Sequence, residues 1–323
     1  MFNYLIKRLI YSIPILIGIT VITFSVMYFT PGKPTDMIAD FNIKVTSEAK
    51  ERLVALYGLD KPVHVQYWNW LRRVVVLDFG SSFKDGRPAS QKILERLPAT
   101  VLLNVLSILL MLIIAVPVGI YSAVRRYSLL DRILTVIVFI CFSVPAFWVA
   151  LLLMIVVGLW LGWLPISGLT SFNFENLSLF GKVLDLAKHL ILPLIVSTLG
   201  SFAVLSRYIR SGMLDVLKQD YIKTAYAKGL SKKQVIFNHA LKNALLPLIT
   251  IVGLSIPGLI GGSFIIETIF SYPGMGRLGY DAIMARDYPV IMGIGVISAF
   301  LTLLGNIIAD VLYSTADPRI RYK

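Results

Sequence analysis

Charge is scarce in this chain: 15% of its 323 residues are Asp, Glu, Lys or Arg, while 57% are hydrophobic. A soluble domain carries about a quarter charged residues. With a mean hydropathy of +0.77, much of the apolar surface must meet lipid or pack inside a membrane bundle. Cysteine is nearly absent. The single thiol, Cys141, lies in an apolar run and excludes an internal disulfide. His64, His189 and His239 are too far apart to give a metal-ligand spacing, so no metal site is expected. There is no G-x-x-x-x-G-K-S/T phosphate loop. The two Gly-Lys pairs are followed by Pro34 and Val183, so any ATP chemistry belongs to another polypeptide. No Ser/His/Asp set, H-E-x-x-H motif or paired intramembrane carboxylates can be assembled, and no enzyme activity is expected.

What the chain does have is long apolar runs. Six stretches reach or approach the roughly 20 residues that cross a hydrocarbon core: Ile10–Phe29, Thr100–Val124, Ile133–Ile166, Leu190–Ser206, Leu245–Ile266 and Val290–Ala309. None contains Asp, Glu, Lys, Arg or His. That argues against a proton pump or symporter, which places titrating groups in its spans; a sodium site of backbone carbonyls escapes this test. Pro14, Pro117, Pro145, Pro193 and Pro257 interrupt the spans. Membrane helices tolerate such breaks when neighbouring helices or water satisfy the freed carbonyls. Simple kinking and a direct transport role both remain open for them.

Six spans place both termini on one side. With the amino terminus inside, the cytoplasmic pieces hold 16 of the 31 Lys and Arg. Of the 15 outside, 11 lie in one long segment, and long segments translocate largely regardless of charge. The short loops therefore predict cytoplasmic termini. The first span follows Lys7-Arg8 but exceeds a usual signal core and precedes no small-x-small cleavage site, so it is expected to stay as an anchor.

Two segments stand outside the bundle. Residues 30–98 form a polar extracytoplasmic insert. It holds an expected capped helix at Ser47–Gly58, an amphipathic helix from Pro62 to Leu77 with Tyr67, Trp68 and Trp70, and a short helix ending before Pro98. The second segment, 207–244, is basic and reads as helical pieces broken at Gly229-Leu-Ser231. Ala225 and Gly229, four apart, would share a helix face and leave a notch for another protein's surface. By spacing alone, a basic interfacial helix on anionic lipid is an equal reading.

Beyond composition, a series of short strings runs through the chain in order. They are Arg8-Leu-Ile-Tyr-Ser-Ile-Pro14, Thr30-Pro-Gly-Lys-Pro34, Tyr57-Gly-Leu-Asp-Lys-Pro62, Asp78-Phe-Gly-Ser-Ser82 and Arg96-Leu-Pro-Ala-Thr100. Ser143-Val-Pro-Ala-Phe-Trp148, Gly162-Trp-Leu-Pro-Ile-Ser-Gly168, Glu267-Thr-Ile-Phe-Ser-Tyr-Pro-Gly-Met-Gly-Arg-Leu278, Arg286-Asp-Tyr-Pro289 and Asp317-Pro-Arg319 follow. From Arg8 to Tyr322 the chain resembles permease subunits of dipeptide, oligopeptide and nickel ATP-binding-cassette (ABC) importers. The general coupling-loop pattern of ABC permeases is Glu-Ala-Ala, three residues, Gly, nine residues, Ile-x-Leu-Pro. With Gly229 as anchor, the triplet becomes Lys223-Thr224-Ala225 and the end falls on His239-Ala240-Leu241-Lys242, as in the peptide/nickel variant.

The resemblance implies an all-α, six-helix type I importer permease in a bacterial cytoplasmic membrane. Residues 1–29 would hold the first helix, 30–98 the insert, 99–312 the permease domain and 313–323 a cytoplasmic tail. It implies a second permease subunit, two ATPase subunits carrying ATP and magnesium, an extracytoplasmic substrate-binding protein and a peptide cargo, with no cofactor on this chain and no nucleic acid. Tyr221, Thr224, Ala225, Lys228, Gly229, Leu230 and Ser231 would contact the ATPase. Glu267, Arg277, Arg286 and Asp287 are candidates for the outer vestibule or binding-protein contact, or for loop-fixing salt bridges. Pro145 and Phe147 are candidates for the translocation path, or for core packing. The same architecture would serve nickel, glutathione or another small solute. An ATP-independent channel or carrier, and a membrane scaffold that moves no solute, are the rivals from other classes.

Overall fold

A computed structural model gives the structure of residues 2–29 and 60–316. The expected helix at Ser47–Gly58, the Thr30–Pro34 string and the 317–323 tail lie outside the described residues. Among those described, every regular element is helical, with one isolated antiparallel bridge between Ser81 and Pro88. The helices are α1 (Phe2–Phe29), α2 (Val63–Val75), α3 (Ala89–Val124), α4 (Leu129–Ser143), α5 (Ala146–Leu153), α6 (Leu179–Leu217) and α7 (Asp220–Ala227). After α7 come α8 (residues 232–244, with a π-helical turn at Val235–Ala240), α9 (Leu246–Ser255), α10 (Phe264–Ile269), α11 (Met275–Met284) and α12 (Tyr288–Ala316).

Among the described residues, four helices are long and apolar enough to cross a membrane: α1, α3, α6 and α12. Of their most apolar windows, 56% of that in α6 is buried against 17% in α1 and 22% in α3 and α12. The central helix is therefore α6, and α3 makes the most extensive packing against it. Gly119 permits that approach, since a Cβ there would stand 2.8 Å from the Ile209 side chain.

The third apolar stretch turns a corner. The α4 axis and its continuation through α5 to Trp160 meet at 101°. Val144 is extended (φ −84°, ψ 129°) because the following proline disfavours helical backbone in its predecessor. Pro145 then opens α5. The fifth stretch is broken rather than continuous. Ten-residue α9 reaches only about 15 Å before a 3₁₀ turn at Pro257–Leu259, two glycines and the six-residue α10. Asn104 on α3 donates to the Leu259 carbonyl at 2.8 Å, and Gly258 O is 3.4 Å away. A polar side chain thus serves carbonyls that the break leaves unpaired.

Two expected boundaries differ. No helix stops before Pro98; α3 runs through it for 36 residues, with Pro98 and Pro117 both inside. Packing over so long a helix outweighs the single hydrogen bond each proline removes. The short fourth span is the middle of 39-residue α6, about 58 Å long, which continues past Arg207 to Leu217.

The two ends of the bundle follow from the contacts. Asp287, just before α12, bonds the turn that precedes α3. The starts of α3 and α12 therefore share one end, called outer below. Arg8 on α1 pairs with Asp310 near the end of α12 at 2.9 Å, which places the start of α1 at the opposite, inner end. There Arg210 of α6 meets Ser122 O of α3 and, at 3.0 Å, Asp131 of α4.

Candidate functional site: the two ends of the bundle

At the inner end, α7 hangs from α6 by a two-residue link. Its buried face is Ile222 (1% exposed) and Ala225 (5%), set in a cluster with Met213 of α6 and Val235, Ile236 and Ala240 of α8. Its outer face carries Tyr221, Thr224 and Lys228, all exposed and on successive turns. The Tyr221 hydroxyl accepts from Asn243 Nδ2 at 3.0 Å, which braces α7 against α8. The Thr224 hydroxyl donates to Asp220 O at 3.0 Å.

Gly229 ends the helix. Its φ of +80° is left-handed. Leu230 N donates to Ala225 O and Gly229 N to Tyr226 O, the paired bonds of a Schellman cap. Half-buried Leu230 completes the cap by packing on the same apolar cluster as Ala225. Ser231 then starts α8 with a capping box, accepting from Gln234 N while its own N donates to Gln234 Oε1. The expected notch is therefore divided. Ala225 faces inward and fixes α7, whereas Gly229 lies past the helix and sets the turn. Tyr221, Thr224, Lys228, Gly229 and Ser231 are left on the exposed surface.

At the outer end, Glu267 of α10 is fully buried. Its Oε2 accepts from Arg277 N at 2.9 Å and its Oε1 from the Thr100 hydroxyl at 3.2 Å; that hydroxyl accepts from Met275 N at 2.7 Å. Met275 and Arg277 are first-turn residues of α11, whose N-cap, Gly274, has no side chain to offer. Glu267 and Thr100 thus cap α11 from outside it, where a carboxylate is favoured by the exposed N–H groups and the helix dipole. Burial pushes the Glu267 carboxyl up from its ordinary range, against the opposing pull of bonds from Arg277, Thr100, Ser263 and Gly276. A Cβ at Gly274 would collide with the Glu267 carboxyl. Tyr272, also fully buried, donates to Ala99 O at 2.7 Å and locks the same junction to α3.

Asp287 is likewise buried, at 1% exposure. It accepts from the Ser82 hydroxyl and from Phe83 N (2.9 Å), with Lys92 Nζ at 3.7 Å. Only Arg277 and Arg286 of the four outer candidates present surface. Arg277 is half-buried, with Nη1 donating to Ser271 O at 2.6 Å and Nε 3.9 Å from Asp281. Arg286 is exposed at φ +48°. Asp287→Ala removes the carboxylate acceptor of the Ser82 hydroxyl and of Phe83 N, at about 1–3 kcal/mol for the buried hydroxyl. Limited proteolysis of the assembled complex is expected to become faster within residues 78–88.

Pro145 and Phe147 sit at the α4–α5 corner and are both exposed, so neither is core within this chain. Asn104, which serves the broken fifth stretch, was not singled out from the sequence; a carboxamide within an apolar span was its signal.

A helical bundle with long apolar spans, one broken stretch and a short braced helix at one end has the architecture of an integral membrane protein. Residues 115–322 match the family described as "Binding-protein-dependent transport system inner membrane component", and residues 1–104 match its N-terminal counterpart. The chain belongs to this family. It is an inner-membrane component of a binding-protein-dependent transport system.

The chain is 47% identical to the oligopeptide transport system permease protein AppB of Bacillus subtilis, over 99% of each chain. It is 37% identical to the dipeptide transport system permease protein DppB of Escherichia coli K12 and 38% identical to that of Alkalihalophilus pseudofirmus, each over the full length of both chains. In three dimensions it resembles a chain of the inward-facing MetNI methionine ABC transporter, with TM-score 0.55 and 18% identity, covering 70% of this chain and 97% of that one. That likeness supports the fold.

Proposed function

We propose that this chain is one of two different permease subunits in a peptide importer, with both termini in the cytoplasm and the exposed face of α7 docked on an ATPase subunit. The observation that carries the coupling role is the division of α7. One face is locked into the inner-end core, and the other offers Tyr221, Thr224 and Lys228 to solvent. A short helix held that way transmits a push to the bundle instead of yielding to it. The cargo class rests on the full-length similarity to permeases named for oligopeptides and dipeptides. The positive-inside bias supports the orientation. ATP binding would shift the assembly to its outward-open state by as much as ATP prefers that state. The chain itself would hydrolyse nothing.

The docking test uses single cysteines in a Cys141→Ser background. Lys228→Cys is expected to crosslink to the ATPase in the assembled complex. Ala225→Cys, buried against α6 and α8, is expected not to. Crosslinks from Ala225→Cys but none from Lys228→Cys would overturn the docking face. Uptake in ATP-loaded vesicles with the purified binding protein tests the cargo. Labelled di- or oligopeptides should accumulate, and transport of nickel or glutathione in their place would overturn the peptide assignment.

A further inference from the structure

Near the inner end, α3, α4 and α6 enclose a recess of about 120 Å³ that belongs neither to the α7 face nor to the outer junction. Its walls include Val118, Val138 and Phe139, and its rim carries Arg207 and Arg210, one turn apart on α6. Arg210 is held by Asp131 through Nη2 (3.0 Å), with Nε 3.5 Å from Ser122 O, which leaves Nη1 without a bond among the described residues. Asp131 is thereby neutralised. Arg207 lies 4.8 Å over the Phe139 ring, is exposed, and has no carboxylate partner among the described residues.

The surroundings specify the occupant. Of the α4 side chains only Asp131 and Val138 are buried, while Leu129, Ile133, Val136, Ile137 and Ile140 are all exposed. Such a face belongs against acyl chains. Arg125, Arg126 and Arg132 are exposed beside it at the same end. A cationic rim meeting an apolar wall at the membrane boundary matches an anionic headgroup with its tail. Arg207, held over an aromatic ring, is pre-organised for a phosphate.

We propose that this recess binds an anionic phospholipid of the cytoplasmic leaflet, with its phosphate between Arg207 and Arg210 and its acyl chain along Phe139 and Val138. The leaflet rests on the orientation given above; the chemistry of the site does not.

The test is native mass spectrometry of the assembled transporter after exchange into vesicles of phosphatidylcholine and phosphatidylglycerol. Wild type is expected to retain phosphatidylglycerol selectively. Arg207→Gln is expected to lower that retention about fivefold, as loss of one basic contact implies. Arg207→Lys should fall between, and Lys188→Gln at the outer end should match wild type. Equal retention of both lipids, or wild-type retention by Arg207→Gln in an intact complex, would overturn the proposal. So would displacement of the lipid by inorganic phosphate at millimolar concentration, which would mark a free-anion site. A crosslink from Arg207→Cys to the second permease would also overturn it, because protein would then fill the recess. A wrong orientation would show separately, as external labelling of Arg126→Cys in the Cys141→Ser background.

Discussion

Gly229→Val is expected to reduce uptake at least about tenfold while the chain still inserts and assembles, whereas Gly229→Asn is expected to keep most of the activity. The reason is conformational. A left-handed residue with a Cβ costs about 1–2 kcal/mol, and a β-branched one more. Asparagine tolerates that region, as its enrichment there shows. Apart from its chain neighbours, no atom of the described residues lies within 4 Å of the position a Cβ would take at Gly229, so bulk meets no obstacle among them. Valine must instead unwind the Schellman cap and shift Leu230 and Ser231, and with them the register between α7 and α8. Initial uptake rates, with crosslinking as the control for assembly, separate the two substitutions. Equal losses in both would mean that the contact surface at this position matters and the turn does not.

Glu267→Ala is expected to lower the thermal midpoint of the assembled complex by roughly 5–10 degrees. It strips acceptors from Arg277 N and the Thr100 hydroxyl in a site without water access, at about 1–3 kcal/mol for each orphaned group. Gly274→Ala acts on the same junction from the other side, because its new methyl would collide with the carboxyl. The two substitutions should therefore not add. With the carboxyl gone, the methyl occupies vacated space, and the double variant should melt above the sum of the single losses. Strict additivity would show that Glu267 and Gly274 do not share the packing described. Glu267→Gln should be milder than Glu267→Ala, since one carboxamide oxygen still accepts while its NH₂ faces a donor.

The membrane class was legible because apolar run length reports directly on spans. The α7 segment was legible through Gly229, a residue type that marks a left-handed cap. Which face of α7 points inward was not legible, because Ala225 suits a notch and a core equally well. Proline by itself did not tell a helix break from a helix interior. Pro98 lies inside α3, where the helix packs on both sides of it, while Pro145 turns the chain by 101° because Val144 and Pro145 are both extended. The outer candidates were hardest. Glu267 and Asp287 read as loop charges, yet each is buried by a distant string. Arg96–Thr100 meets Glu267–Leu278 through Thr100, and Asp78–Ser82 meets Arg286–Pro289 through Ser82. One sequence does not say which of its strings touch.

The uninterrupted run of α6 has a mechanical consequence. About 36 Å separates Pro193, the one proline within it, from Leu217 at the foot. A pivot of about 10° at Pro193 would carry α7 sideways by about 6 Å, close to the pitch of one helical turn. A small angular change at Pro193 and a large excursion at the inner end are then one motion of a single stiff arm.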